Sequence, residues 1–268
     1  MQSPIKILQK VGGVVASILI AVGFTVVNSA PNNQTQDNPS ALPNRGIAPE
    51  FLNTAWLNSD IPLRLANLRG SVVLLEFWTF DCINCIRTLP YVERWYQTYR
   101  DQGLVVVGIH YPEFNYERDP QNVVAAAQRL GVTYPIGLDN DAATWSAYNQ
   151  RFWPTLYAID KRGHIRYMRI GEGAYDTTEQ ALQALLAETY TPDAEATATI
   201  AEPLPYLTPD SILNVRSAPG TDSAVIGSIA PGMSFVILDE QAGWFQIRYG
   251  DDLGFVSGDF VTISATES

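Results

Sequence analysis

The chain has 268 residues, 46% of them hydrophobic and 17% charged, which is material for two domains with real cores and the wrong composition for a disordered, collagenous or low-complexity protein. Its 17 basic and 28 acidic side chains leave a net charge of −11, which argues against a protein that tracks the phosphates of a nucleic acid. Only two cysteines are present, Cys82 and Cys85, so a disulfide-stapled scaffold and a multi-cysteine zinc site are excluded and any thiol chemistry belongs to that pair.

The first ten residues carry Lys6 and Lys10 and no acid, and residues 11–27 form an apolar stretch. Such a stretch sits at the short end of the ~17–25 residues that span a bilayer, so residues 1–30 read as a membrane anchor or a secretory signal. Lysines on the N-terminal flank hold that end in the cytoplasm and send the rest of the chain across the membrane. The polar residues 31–46 read as a flexible linker.

Residues 47–188 alternate between strand-like and helix-like patterns. The β-branched and aromatic runs at 71–78 and 104–111 predict strands, and the apolar spacing at 83–99 and 122–130 predicts helices. Later runs at 155–160 and 165–170 flank the turn-rich residues 161–164, a hairpin, and 177–186 reads as a last amphipathic helix. The expectation is an α/β domain with a mixed central sheet flanked by helices. Residues 189–205 are rich in Ala, Thr, Pro and acid without apolar periodicity, which marks a linker. Residues 206–265 consist of short strand-like runs broken at Pro219-Gly220, Pro231-Gly232, Ala242-Gly243 and Gly250-Asp251, the spacing of a small all-β barrel expected to fold independently. After Leu186 there are 12 acidic and 2 basic residues, so the acidity belongs to this last part of the chain.

Cys82-Ile83-Asn84-Cys85 lies just beyond a predicted strand and opens a predicted helix. A thiol in the first turn of a helix meets unpaired backbone N–H groups and the positive end of the helix dipole, which favour thiolate. The two-residue spacing lets a second sulfur close a disulfide on the first. As half of a zinc site the pair lacks partners, because the chain offers only His110 and His164 besides. A structural disulfide is a second reading, against which stands the strain of so short a loop. Thr79 and Cys82 also spell the T-x-x-C of peroxidatic cysteines, although Leu75 stands where that motif wants proline.

Together these spacings resemble the thioredoxin superfamily. Relative to Cys82 an acid stands six residues before (Glu76), a tryptophan four before (Trp78), the second cysteine three after, and a helix-kinking proline eight after (Pro90). Trp153-Pro154-Thr155 matches the family's cis-proline element, and the segment FWTFDCINCIRTLPYV is most similar to the TlpA/ResA-like redoxins and the thioredoxin-like domain of DipZ-type proteins. The resemblance implies a thioredoxin-like fold and thiol-disulfide oxidoreductase activity. Cys82 would be the nucleophile and Cys85 the resolving thiol, with Glu76 in place of the family's buried Asp as proton carrier. Trp78, Trp153, Pro154 and Thr155 would form the substrate-binding surface. Glu76 could instead be a paired core acid, Trp78 and Trp153 core aromatics, and His110 a structural histidine. The dipeptide Ile83-Asn84 is not the Gly-Pro of general thioredoxins, so no redox potential carries over.

The C-terminal runs around Leu213, Val225, Trp244 and Phe255 resemble a bacterial SH3-like domain, a family that commonly binds peptides or cell-wall peptidoglycan. Trp244, Tyr249 and Phe255 are the candidate groove aromatics, with burial in the barrel core as the alternative. The sequence therefore predicts an extracytoplasmic, membrane-tethered oxidoreductase, by expectation a disulfide reductase. Its partners would be protein disulfide or dithiol clients, a membrane thiol relay as electron donor and, through the SH3-like domain, wall peptide. No nucleotide-binding Gly-rich loop, metal site or other cofactor signature is visible. A non-catalytic wall-binding adaptor is the competing class.

Overall fold

The computed structural model describes residues 42–192 and 204–264, which belong to one compact unit starting at Leu42. The expected membrane segment and most of both linkers lie outside the described residues. Among those described, no helix is long and apolar enough to cross a membrane.

The centre of the fold is β2 (Val72–Trp78), whose seven residues are all buried. A strand covered on both faces needs no polar alternation, which is why its sequence is a continuous run of large apolar residues interrupted only by Glu76. Val72, Leu74 and Trp78 join one core cluster with Leu89, Val92 and Trp95, while Val73, Leu75 and Phe77 join a second with Phe51 and Trp56. Glu76 shares the parity of Leu74 and Trp78 and so enters the first cluster. β3 (Leu104–His110) runs parallel to β2 in the register Val72↔Leu104 to Trp78↔His110, and β4 (Ile136–Leu138) runs parallel to β3. On the other side β5 (Thr155–Ile159) is antiparallel to β2 and forms the expected hairpin with β6 (Ile165–Ile170). This is the mixed, thioredoxin-like sheet that the sequence predicts.

Helix α1 (Ile83–Tyr99) follows β2 and contains Pro90. Helix α2 (Pro120–Leu130) starts two residues before its predicted position, because Asp119 caps it by accepting the Gln121 N–H at 2.9 Å and Pro120 occupies the first turn. It stops at Gly131, whose φ of 70° suits the left-handed C-terminal position. Helices α3 (Ala143–Ala147) and α4 (Tyr175–Ala187) complete the layers.

The C-terminal strands depart from the expectation of a self-contained barrel. A short strand absent from the sequence reading, β1 (Ala55–Leu57), pairs with β4 on one side and with β10 (Met233–Val236) on the other, in the register Ala55↔Phe235 to Leu57↔Met233. Strands β7 (Tyr206–Pro209) and β14 (Val261–Ser264) continue the same sheet, which has nine strands in the order β14-β7-β10-β1-β4-β3-β2-β5-β6. The remaining strands, β8 (Leu213–Arg216), β9 (Val225–Ile229), β11 (Asp239–Gln241), β12 (Trp244–Tyr249) and β13 (Asp252–Ser257), form a separate five-stranded sheet. Phe235, Leu207 and Ile247 pack in the same core cluster as Leu57 and Ile136. Polar contacts reinforce the junction: Arg118 pairs with Asp251, Arg248 approaches Asp141 at 3.5 Å, and Gln121 Nε2 donates to the Ser228 carbonyl at 2.6 Å.

Candidate active site

The parallel strands β2 and β3 end together at Trp78 and His110, so the segments that follow each meet at one end of the sheet, where α/β folds place their sites. After β2 a turn over Thr79, Phe80 and Asp81 leads to Cys82, the N-cap of α1, with φ −76° and ψ 113°. Its Sγ accepts the Cys85 N–H at 3.4 Å, so the thiol occupies the place that a Ser or Asp oxygen takes in an ordinary helix cap. The Cys85 thiol beside it, aided by the N–H groups of Cys85 and Asn84, draws the Cys82 thiol down to about 6, against partial burial and the charge of Glu113. Both cysteines are free thiols, Cys82 half-buried and Cys85 buried. Burial pushes the Cys85 thiol far up, and the neighbouring Cys82 and Glu76 add to the effect. One thiol is thus an accessible thiolate at neutral pH and the other stays protonated.

Glu76 lies in the interior with no exposure. The Tyr134 hydroxyl donates to its Oε2 at 2.7 Å, while Oε1 has no hydrogen-bond partner. Burial pushes its carboxyl up to about 8, with the Tyr134 hydrogen bond pulling the other way and the Cys82 charge adding to the rise. A carboxyl that is mostly protonated near pH 7 yet within reach of ionisation is suited to carrying a proton.

The Trp153-Pro154 peptide bond is cis. The antiparallel register Phe77↔Thr155 sets Pro154 opposite the end of β2, four residues before Cys82. Trp153 stacks on Tyr111 with centroids 5.8 Å apart, and Trp145 lies 4.7 Å from Trp153, so three aromatics cluster beside the cis bond. Gln150 braces this loop by donating to the Phe152 carbonyl at 2.5 Å and to the Thr155 hydroxyl.

Family models match here in two places: the AhpC/TSA family over residues 46–168 and the bacterial SH3 domain over residues 211–262. The thiol-disulfide oxidoreductase YkuV of Bacillus subtilis is 31% identical over 135 residues, covering 50% of this chain and 90% of YkuV. The chain belongs to the thioredoxin-like thiol-disulfide oxidoreductases. Protein DipZ of Mycobacterium tuberculosis is 40% identical over 202 residues, 74% of this chain; the matched part spans only 28% of DipZ. Among solved structures, that of the thioredoxin-like superfamily protein SPOA0173 superposes with a TM-score of 0.52 at 27% identity, covering 55% of this chain and 99% of that one.

Within this thioredoxin-like site several sequence-based assignments change. Trp78 is completely buried, with its indole edge-on to His110 at 5.4 Å and its Nε1 against Gly108, where a Cβ would come within 2.8 Å. It is a core residue and offers a substrate no surface. Thr155 is also buried, and its hydroxyl is used inside the loop, donating to the Phe152 carbonyl at 2.9 Å. His110, buried and pushed down to about 3 by burial, stays neutral. In the barrel, Phe255 and Tyr249 are buried, and the Tyr249 hydroxyl accepts the Ser228 N–H at 3.3 Å, so the expected aromatic groove does not assemble. Trp244 lines a cleft of about 670 Å³ with Ile212, Arg216 and Asp259, while Tyr249 lines a different one of about 350 Å³ with Arg118 and Asp119. Tyr134, Tyr111 and Trp145 belong to no motif in the sequence, although the position of Tyr111 just beyond β3 is a usable signal, and of the aromatic group the sequence marks Trp153 alone.

Proposed function

We propose that the protein reduces disulfides of client proteins on the extracytoplasmic side of a membrane, held there by residues 1–30 and supplied with electrons by a membrane thiol relay. The observation that carries this reading is the pairing of a half-exposed, low-pKa Cys82 at the α1 N-cap with a buried, protonated Cys85 near a buried Glu76.

The Cys82 thiolate attacks one sulfur of a client disulfide; the client S–S bond breaks, one client thiolate leaves and takes up a proton, and a mixed disulfide joins client to Cys82. Formation of that bond removes the Cys82 charge, which had been raising the Glu76 pKa, so Glu76 ionises more readily when Cys85 must lose its proton. The Cys85 thiolate then attacks Cys82 Sγ, the second client thiol is released, and two electrons have passed from the dithiol to the client. A thiol donor returns the Cys82–Cys85 disulfide to the dithiol. Trp153 and Pro154 supply the backbone edge for an extended client peptide. The Trp244 cleft, which holds both Arg216 and Asp259, suits a wall peptide bearing an amine and a carboxylate.

The test is the equilibrium potential of the Cys82/Cys85 couple together with turnover on a model disulfide. A value near about −270 mV supports a reductant, and one near about −120 mV, with no turnover in the reducing direction, overturns the proposed direction. Absence of turnover in either direction would favour the adaptor class.

A further inference from the structure

Glu117 is a fully buried acid that the chemistry above does not use. It sits in the 3₁₀ turn Asn115–Arg118, within the segment that links β3 to α2. Its Oε2 accepts the backbone N–H groups of Glu113 at 2.6 Å and Phe114 at 2.8 Å, which organises its own loop. Its Oε1 reaches out of that loop and accepts the N–H of Asp81 at 3.2 Å. Asp81 is the residue before Cys82, and its N–H is in the turn that delivers the thiol to the helix cap.

Two further contacts join the same segments. The Tyr116 hydroxyl donates to Asp81 Oδ2, and the Phe80 ring packs between His110 and Tyr116, with centroids at 5.5 and 6.0 Å. The turn that carries Glu117 is itself held from behind. Arg118 donates to the Asn140 carbonyl at 3.1 Å, its own carbonyl accepts from Asn140 at 2.7 Å, and its guanidinium pairs with Asp251 of the SH3-like part. Side-chain contacts on either side of the Glu117-Arg118 peptide therefore connect Asp251, in the turn between β12 and β13, to the backbone beside the nucleophile.

We infer that Glu117 is a positioning residue for Cys82: its carboxyl fixes the Asp81 N–H and thereby holds the Cys82 sulfur in line with the N–H groups that open α1. Cys82 depends on this alignment because a thiolate at a helix cap is stabilised only where the first-turn N–H groups point at it. A turn released at Asp81 would let the Cys82 backbone leave its extended cap conformation and the sulfur leave those donors. The inference rests on Cys82 being the reactive thiol.

The test is the pH profile of Cys82 alkylation in the reduced protein, using iodoacetamide with peptide mapping to separate Cys82 from Cys85. Glu117→Asp keeps the charge and the local acceptor but withdraws the carboxyl by one methylene from Asp81. Glu117→Gln keeps the length but loses one acceptor and a negative charge, and the charge change alone would lower the Cys82 midpoint. Glu76 is untouched in both variants, whereas Glu113, whose charge raises the Cys82 pKa, hangs from the Glu117 carboxyl through its N–H, so any movement of Glu113 belongs to the same positioning effect. A higher midpoint in both is the expected result; a rise of one unit cuts the rate at pH 6 about fivefold and leaves the rate at pH 9 nearly unchanged. Asp160→Asn is the control. Asp160 accepts the Arg162 and His164 N–H groups, each at 2.9 Å, in the β5–β6 hairpin, so that variant loses a comparable acceptor far from the thiol. Near-UV circular dichroism identifies which variants are folded. An unchanged midpoint in the folded Glu117 variants overturns the inference, as does a fall confined to Glu117→Gln or an equal rise in Asp160→Asn. A wild-type Cys82 that shows no low-pH reactivity would instead overturn its assignment as nucleophile.

Discussion

Replacing Glu76 by Gln separates the two consequences of burying an acid beneath the thiol pair. In the unfolded chain this carboxyl ionises near 4.5, and in the folded protein near about 8. The folded state therefore holds a proton that the unfolded state has lost, and the stability present below 4.5 is lost as pH rises through 8. That shift corresponds to about 3 kcal/mol of lost stability at pH 7 and nearly 5 kcal/mol above pH 9. Cys82 acts with the opposite sign, since its lowered pKa adds stability as pH rises above about 6, so the wild-type curve alone conceals both effects. The informative quantity is the difference between Glu76→Gln and wild type, measured by urea unfolding of the reduced proteins at pH 5, 7 and 9. The amide retains an acceptor for the Tyr134 hydroxyl and cannot ionise, so the variant should gain about 2–4 kcal/mol relative to wild type between pH 5 and pH 9. Stopped-flow kinetics should show mixed-disulfide formation on Cys82 unchanged and its release by Cys85 slowed. A stability difference that does not vary with pH would refute the raised pKa, and equal effects on both kinetic steps would refute the proton-carrying role.

Cys85→Ser should accumulate mixed disulfides between Cys82 and clients on non-reducing gels, whereas Cys82→Ser should accumulate few; equal trapping would mark nonspecific oxidation. In the wild type, Cys82 alkylation should titrate with a midpoint near about 6, while Cys85, held protonated by burial, should remain unreactive through neutral pH. Faster reaction of Cys85 would reverse the assignment. Phe235→Ala removes a fully buried ring from the strand that pairs with β1 and should cost about 3–5 kcal/mol in a single unfolding transition that also includes the thiol domain. Two separate transitions, with only the later strands affected, would show that the shared sheet does not couple the two parts.

The features that could be read from the sequence are those encoded locally. The run from Val72 to Trp78, the thiol pair at a helix start and the Trp153-Pro154 element each occupy a few consecutive residues, and each appears where its spacing implies. β1 and β4 have three residues each and no periodicity, and they exist because neighbouring strands pair with them. The partner of Glu76 is Tyr134, distant in sequence and announced by no motif. For Trp78 the family resemblance implies a place on the substrate-binding surface, with the core as the alternative. The parity of β2 turns it inward instead, because helices cover that face. The same limitation applies at the C-terminus, where strand spacing indicates a small all-β region and the family resemblance an SH3-like one, but neither gives a sign that β10 pairs outside it.

That pairing places a constraint on the order of folding. Ala55 and its partner Phe235 are far apart in sequence, so the middle of the nine-stranded sheet closes only after the chain has been made as far as β10. Contacts so distant in sequence form slowly, since a long loop must close before they are gained. The strands that deliver the thiol pair, β2, β3 and β5, need none of the later residues and can assemble first. During synthesis there is consequently an interval in which Cys82 and Cys85 are already presented while β1 still lacks a neighbour on one side. A chain that stops before β10 would keep that strand edge open, and open edges recruit other strands. Completion of the C-terminal region thus removes a site of misassembly from a domain whose reactive centre has already formed.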